Sequence, residues 1–183
     1  MPEWDALYRR HSTAVWRSAW RILRDREGAA DCVQETFLSV LRHPQAEMVR
    51  EWEAFLVSVA VRRALDQLRV RCRRERRESG EGPDACSPGS SPEQAAAASE
   101  LADRLRRALA DLPPQQAEVF CLRTFDEMSY DDIALQLGLS SPHVGVLLHR
   151  ARQALGRALH DLRPDDASRP DNAPRPVLAP QEE

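Results

Sequence analysis

The chain has 183 residues, enough for one ordinary domain or two small ones, with 42% hydrophobic and 30% charged residues. A net charge of −3 excludes a uniformly basic protein, and no apolar run approaches the roughly 18–20 residues that cross a membrane. All 26 basic residues are arginine, a side chain suited to bidentate phosphate and base contacts.

The first 24 residues place Trp4, Leu7, Tyr8, Val15, Ala19, Ile22 and Leu23 at spacings of three, four and seven, which predicts an amphipathic helix over 3–24. The N-terminus, MPEWDALYRR, lacks the apolar core of a signal peptide, and the expectation is a cytoplasmic protein. Asp25 to Gly28 is read as a break. A second helix is predicted from about Ala29 to Arg42, with Val33, Phe37, Leu38 and Leu41 apolar and Asp31, Gln34 and Glu35 on the other face. His43-Pro44 ends it, because the residue before proline is pushed out of the helical region.

After a loop from Gln45 to Arg50, a third helix is expected, EWEAFLVSVAVRRALDQLRVRCRRERR. Trp52, Phe55, Leu56, Val59, Leu65 and Leu68 make its core side. Residues 62–77 hold eight arginines against two acids, a local charge of +6. Such a run is either an anion-binding surface or a solvated helix end.

Residues 78–92 are dominated by glycine, serine and proline and read as a flexible linker. Ser91-Pro92-Glu93 has the form of a helix start. Helices are predicted over about 93–110 and 115–124, punctuated by Leu112-Pro113-Pro114. Next comes EMSYDDIALQLGLSSPHVGVLLHRARQALGRA. Ser129 is placed to cap a short helix, with Asp132 three residues on. Gly138 supplies a turn with positive φ. Ser140 or Ser141 caps a longer helix, with Pro142 in its first turn. Val144, Leu148, Ala151 and Leu155 share its buried face, and His143, Val146, His149, Arg150 and Gln153 share the opposite one. This is the layout of a helix-turn-helix, whose second helix enters a DNA major groove, or of a plain αα-hairpin with a solvated outer face. Residues 164–183 hold five of the thirteen prolines and are expected to be disordered.

The four cysteines, at 32, 72, 86 and 121, show neither a C-x-x-C pair nor metal-ligand spacing, and structural thiols are the expected reading, with a redox switch as the alternative. A glycine-rich phosphate loop, an H-E-x-x-H word and a nucleophile motif are all missing, so neither an enzyme nor a cofactor is expected.

In its order of words the chain resembles the extracytoplasmic-function class of bacterial sigma factors over about 4–162. LYRRHSTAVWRSAWRILRDREGAADCVQETFLSVLRH, with its D-x-V-Q-E-x-F word, and EWEAFLVSVAVRRALDQLR are similar to the family's region 2. ALADLPPQQAEVFCLRTFDEMSYDDIALQLGLS and LHRARQAL are similar to region 4. The resemblance implies an all-α fold of two small helical domains: region 2-like over 1–77, a linker over 78–92, a region 4-like helix-turn-helix domain over 93–163, then the tail. It implies a protein that binds core RNA polymerase and promoter DNA, with an anti-sigma factor as a further possible partner. By the same resemblance, Asp31, Gln34, Glu35 and Leu38 dock on polymerase. The loop from His43 to Arg50 holds a flipped base of the −10 element. Arg62, Arg63, Arg69, Arg71, Arg73 and Arg74 track phosphates and the melted strand, and Ser141, His143, Val146, His149, Arg150 and Gln153 face the −35 element.

Three departures stand out. Arg63 occupies a position that is asparagine in many members. Gly145, Val146 and Leu147 stand where lysine, serine and arginine are usual, and the proline-rich tail has no counterpart in the family pattern. The competing readings are a DNA-binding regulator that works without polymerase, and a sigma-like protein-interaction module.

Overall fold

The computed structural model describes residues 3–42, 49–78 and 93–160. Seven α-helices follow one another: α1 (Trp4–Leu23), α2 (Arg26–Leu41), α3 (Trp52–Glu78), α4 (Glu93–Asp111), α5 (Pro114–Thr124), α6 (Tyr130–Leu137) and α7 (Ser141–His160). No strand is present among the described residues. None of these helices is long and apolar enough to cross a membrane. The stretches read as a linker and a disordered tail, and most of the His43–Arg50 loop, lie outside the described residues.

α1 and α2 meet at a sharper joint than the sequence suggests. Arg24 closes α1 in the left-handed conformation, and its N–H returns to the Trp20 carbonyl. Asp25 then caps α2, its carboxylate accepting from the N–H groups of Glu27 and Gly28 at 3.2 Å. α2 therefore starts three residues before the expected position. A good cap outweighs the cost of one glycine in the first turn.

The 27-residue α3, about 40 Å long at 1.5 Å per residue, is the organising element. α1 and α2 pack against it, and so do α4, α5 and α6. The apolar run AFLVSVAV explains this. Besides Leu56, Leu65 and Leu68, the side chains of Val57, Ala60, Val61 and Ala64 are buried. A helix that is apolar over so much of its circumference demands partners on more than one side. The one-sided core expected from the sequence is thus incomplete: the buried residues of α1–α3 and of α4–α7 join in a single apolar cluster.

Within the second half, Ser129 caps α6 by accepting from the Asp132 N–H at 3.1 Å, and its hydroxyl donates to the Asp132 carboxylate at 2.6 Å. Gly138 ends α6 at φ +65°, and the Leu139 N–H reaches the Ala134 carbonyl at 2.9 Å. α7 begins at Ser141, with Ser140 outside it accepting from the Val144 N–H through its carbonyl.

Candidate nucleic-acid interface

Two exposed surfaces and one partly covered surface hold the residues singled out above. On α2, Val33 and Phe37 face inward, and Asp31, Gln34, Glu35 and Leu38 are exposed. Leu38 is 52% exposed, and Leu41 and Tyr8 are also exposed. Tyr8 packs edge-on against Phe37 at 4.9 Å. Beside them a cavity of about 320 Å³, lined by Tyr8, Ser12, Thr13, Trp16, Val33 and Gln34, opens between α1 and α2. This surface combines a carboxylate, an amide and apolar groups, the composition that receives a helix bearing arginine and aliphatic side chains. Glu35 is not wholly free: Arg63 on α3 donates to it at 3.1 Å. Arg63, which the resemblance placed among the arginines tracking phosphates, is tied back to α2.

The arginines of α3 divide three ways. Arg71 and Arg74 are exposed and paired with Glu75 and Glu78 one turn on, at 2.9 and 2.7 Å. These pairs raise both guanidinium pKa values further above their ordinary range. Exposed pairs of this kind contribute little and exchange readily for phosphate. Arg73 is exposed and has no partner among the described residues. Arg62 and Arg69 instead lie toward the second half. Arg62 reaches Glu118 of α5 at 3.2 Å. The Arg69 side chain is only 16% exposed, is paired with Asp66 at 2.9 Å, and feels the thiol of Cys121 on α5. Arg76, not among the candidates, donates to both oxygens of Asp111 on α4 at 2.7 and 2.9 Å. Hence Arg71, Arg73 and Arg74 form an open basic surface; Arg62 is as exposed as Arg71 but is paired with Glu118 of α5, and Arg69 is largely covered.

On α7, Val144, Leu147, Leu148, Ala151 and Leu155 are buried, and His143, Val146, His149, Arg150 and Gln153 are exposed together. The outer face therefore has the predicted membership. Ser141 is half-buried and its hydroxyl donates to Asp131 on α6, so it braces the turn. Leu147, one of the departures from the family wording, belongs to the core. Gly145 leaves room for Tyr130: a Cβ there would lie 3.6 Å from the tyrosine ring. Arg123 sits over the other part of that contact, 5.6 Å from the ring centroid, and donates to the Met128 carbonyl at 2.9 Å. Tyr130 and Arg123 were not among the residues singled out in the sequence, because their contact with Gly145 joins three different helices.

The loop between α5 and α6 docks on α1. Ser18 donates to the Asp126 carboxylate, Arg21 donates to the Phe125 carbonyl, and Arg21 also lies 3.5 Å from Asp126. Burial pushes the Asp126 carboxyl upward, against the lowering influence of Ser18 and Arg21. The three described cysteines are free and buried. Burial raises Cys32 to about 11 and pushes Cys72 and Cys121 up as well. Cys86 lies outside the described residues.

Comparison with known proteins falls on these same helices. The family described as Sigma-70 region 2 matches residues 7–75, and the family described as Sigma-70, region 4 matches residues 102–155. The chain is similar to the ECF RNA polymerase sigma factor SigE of Mycolicibacterium smegmatis, with 33% identity over 156 residues, 85% of this chain and 61% of that protein. It is equally similar to the ECF RNA polymerase sigma factor SigL of Mycobacterium tuberculosis, with 33% identity over 162 residues, 86% of this chain and 89% of that one. The chain thus spans about three fifths of the length of SigE and most of SigL. In fold it is similar to the sigma factor RpoE of Bartonella quintana, solved in complex with the anti-sigma factor NepR, with a TM-score of 0.53 and 21% identity over 89% of this chain and all of that one. Two sigma-70 regions in order, on an all-α chain aligned nearly end to end with a protein of that name, settle the affiliation: the chain belongs to the extracytoplasmic-function class of the sigma-70 family.

Proposed function

We infer that this protein binds core RNA polymerase and directs it to promoter DNA. The observation that carries the reading is the placement of the two family regions. Region 2 presents the Asp31, Gln34 and Leu38 face, and region 4 presents the outer face of α7, so each interface is exposed on its own half. Polymerase docks on the α2 face, where Asp31 offers an acceptor to an arginine and Leu38 an apolar contact. Arg71, Arg73 and Arg74 hold backbone phosphates of the −10 region and the strand displaced on melting. Residues 43–50 receive a base turned out of the stack, which must offset an unstacking cost of a few kcal/mol.

α7 enters the major groove at the −35 element. His143, His149, Arg150 and Gln153 supply its polar contacts, and Val146 meets thymine methyl groups. With glycine and valine at two central positions, hydrogen bonding to bases is sparse, and phosphate contacts and groove shape take a larger share. The 14 residues from 79 to 92 permit the two halves to reach separate elements: a chain of that length spans at most about 50 Å.

The test is multi-round transcription from a genomic fragment library with core polymerase, with and without this protein. New, defined start sites that require the protein are the expected result and deliver both promoter elements. Stable polymerase binding without new starts would favour a protein-interaction role. Tight sequence-specific duplex binding by the free chain, without polymerase association, would favour a simple regulator.

A further inference from the structure

α1 carries a second basic face, on which none of the functions above draws. Between Asp5 and Asp25 the chain holds five arginines and no acid. Arg9 is paired with Asp5, and Arg21 is held by the Phe125 carbonyl and Asp126. Arg10, Arg17 and Arg24 are exposed and have no carboxylate partner among the described residues. A cavity of about 660 Å³ places Glu51 and Glu53 near Arg17, and neither pairs with it. The three free arginines lie seven residues apart, nearly two full turns each, so they form one line about 21 Å long.

An aromatic stack runs beside that line. Trp16 and Trp20 are stacked at 5.9 Å with their planes 16° apart, and the Arg24 guanidinium lies 4.5 Å above the Trp20 ring. Both indoles are half-buried. Trp16 also lines the cavity of about 320 Å³ between α1 and α2, together with Ser12, Thr13 and Gln34. A flat apolar wall with hydroxyl and amide groups around it suits a nucleobase, whose ring stacks and whose edge hydrogen-bonds. At its far end the line approaches α3. Asp25, next to Arg24, is near enough to Arg71 for its charge to raise that guanidinium's pKa. A lipid surface is the poorer match: membrane binding needs an apolar face to bury, and Tyr8 is the only large apolar side chain that α1 exposes among its described residues.

We propose that the outer face of α1 is a further site for single-stranded nucleic acid, in which Arg10, Arg17 and Arg24 hold backbone phosphates and Trp16 stacks a base turned into the cavity beside Ser12 and Thr13. A row of cations with an aromatic platform binds single strands with little regard for sequence. Guanidinium groups without carboxylate partners lose nothing when phosphates reach them, and each contact releases counterions from the strand. A duplex keeps its bases stacked inside and offers none to the indole. The chemistry suits a displaced DNA strand and a transcript alike. This site goes beyond promoter reading by α3 and α7, and its occupation in the free chain needs no polymerase.

The test follows the fluorescence anisotropy of labelled oligo(dT), oligo(U) and a mixed-sequence duplex, each about 12 nucleotides long, with the free full chain over a range of salt. Both single strands are expected to bind and to quench tryptophan emission. Arg10→Ala with Arg17→Ala is expected to flatten the salt dependence for single strands by about 1.4, which is about 0.7 for each lost phosphate, and to leave the duplex slope unchanged. Trp16→Leu is expected to weaken single-strand binding about fivefold or more, the loss of one stacked base, at unchanged helix content by circular dichroism. Tighter binding of oligo(dT) supports the site with a displaced strand as its source, and tighter binding of oligo(U) supports it with a transcript. An unaltered single-strand slope in the arginine variant would overturn the phosphate line, whether or not Trp16→Leu folds. Equal losses for duplex and single strands would reduce the face to a general cationic surface and overturn the site. Polyglutamate competing as well as the oligonucleotide at equal charge would overturn it too, and assign the face to an acidic protein. If transcription with core polymerase gives no new starts, the sigma-factor reading fails while these binding measurements still decide the site.

Discussion

At the scale of single residues, two acids separate recognition from packing. Glu35 is engaged by Arg63, so its replacement disturbs the α2–α3 contact, whereas Asp31 is exposed with no partner among the described residues. Asp31→Arg is therefore the cleaner probe of polymerase docking. It is expected to abolish co-purification with core polymerase and to move the thermal midpoint by no more than about 0.5 kcal/mol equivalent, as surface substitutions do. Retained co-purification would remove α2 from the docking surface. Asp126 is the opposite case. Burial raises its pKa from the ordinary 3.8, so the folded protein binds a proton more readily there than the unfolded chain does. That contribution is present in full below pH 3.8 and is lost as pH rises through the folded value. Ser18, Arg21 and Arg17 from α1, Glu51 and Glu53 before and in α3, Glu127 and Asp132 from the second half, and the Cys121 thiol surround it. Asp126→Asn, which needs no proton, is expected to gain stability relative to wild type as pH is raised above about 4. Thermal unfolding of both proteins across pH 4–8 reads the difference, and a constant gap would deny the burial cost.

At the scale of elements, α3 and α7 each have a face that the sequence made legible and a face that it did not. Period alone identified Val144, Leu148, Ala151 and Leu155 as buried and His143, Val146, His149, Arg150 and Gln153 as exposed. Leu147 escaped because it was compared with a family word rather than with its own helix face. On α3 the first apolar side was visible. The second, around Val57, Val61 and Ala64, was merged into a continuous run that carries no period. The arginine run was legible as charge but not as geometry, since Glu118 and Asp111, distant in sequence, decide which guanidinium groups stay free. Arg73→Ala with Arg74→Ala is expected to flatten the salt dependence of duplex binding by about 0.9 per lost phosphate contact. Arg69→Ala should leave that slope unchanged and lower stability instead. Equal slopes for all three proteins would return Arg73 and Arg74 to the solvated helix end. On α7, Gly145→Ala places a methyl at ordinary contact distance from Tyr130. It is expected to raise stability by up to about 1 kcal/mol, roughly 2–4 °C in melting temperature for a chain of this size. A fall would mean that the tyrosine ring needs the space.

At the scale of the whole molecule, the seven helices and their order followed from composition, caps and period. The shared core did not, because a linker rich in glycine and serine suggests two independent bodies and says nothing of what they do when free. The buried thiols offer a readout of how the halves come apart. Cys121 lies on α5 close to Arg69 of α3, whereas Cys32 lies within the first half, its thiol donating to the Ala60 carbonyl at 3.4 Å. Alkylation under native conditions is expected to reach Cys121 before Cys32, because separation of the halves uncovers the first and only unfolding uncovers the second. Simultaneous modification would mean that the chain opens as one cooperative unit.

That α3 is packed on two sides also has a consequence during synthesis. Its sequence leaves the ribosome complete some 80 residues before the end of α7 is made. At about 5–20 residues per second, that delay is roughly 4–16 s. For that interval α1 and α2 can cover one flank of α3, while Val57, Val61 and the arginines beyond them await helices not yet translated. The nascent chain thus displays an apolar and cationic helix beside the RNA-rich surface of the ribosome. The second half, arriving afterwards, covers the remaining apolar flank of that helix and pairs Glu118 with Arg62 and Asp111 with Arg76.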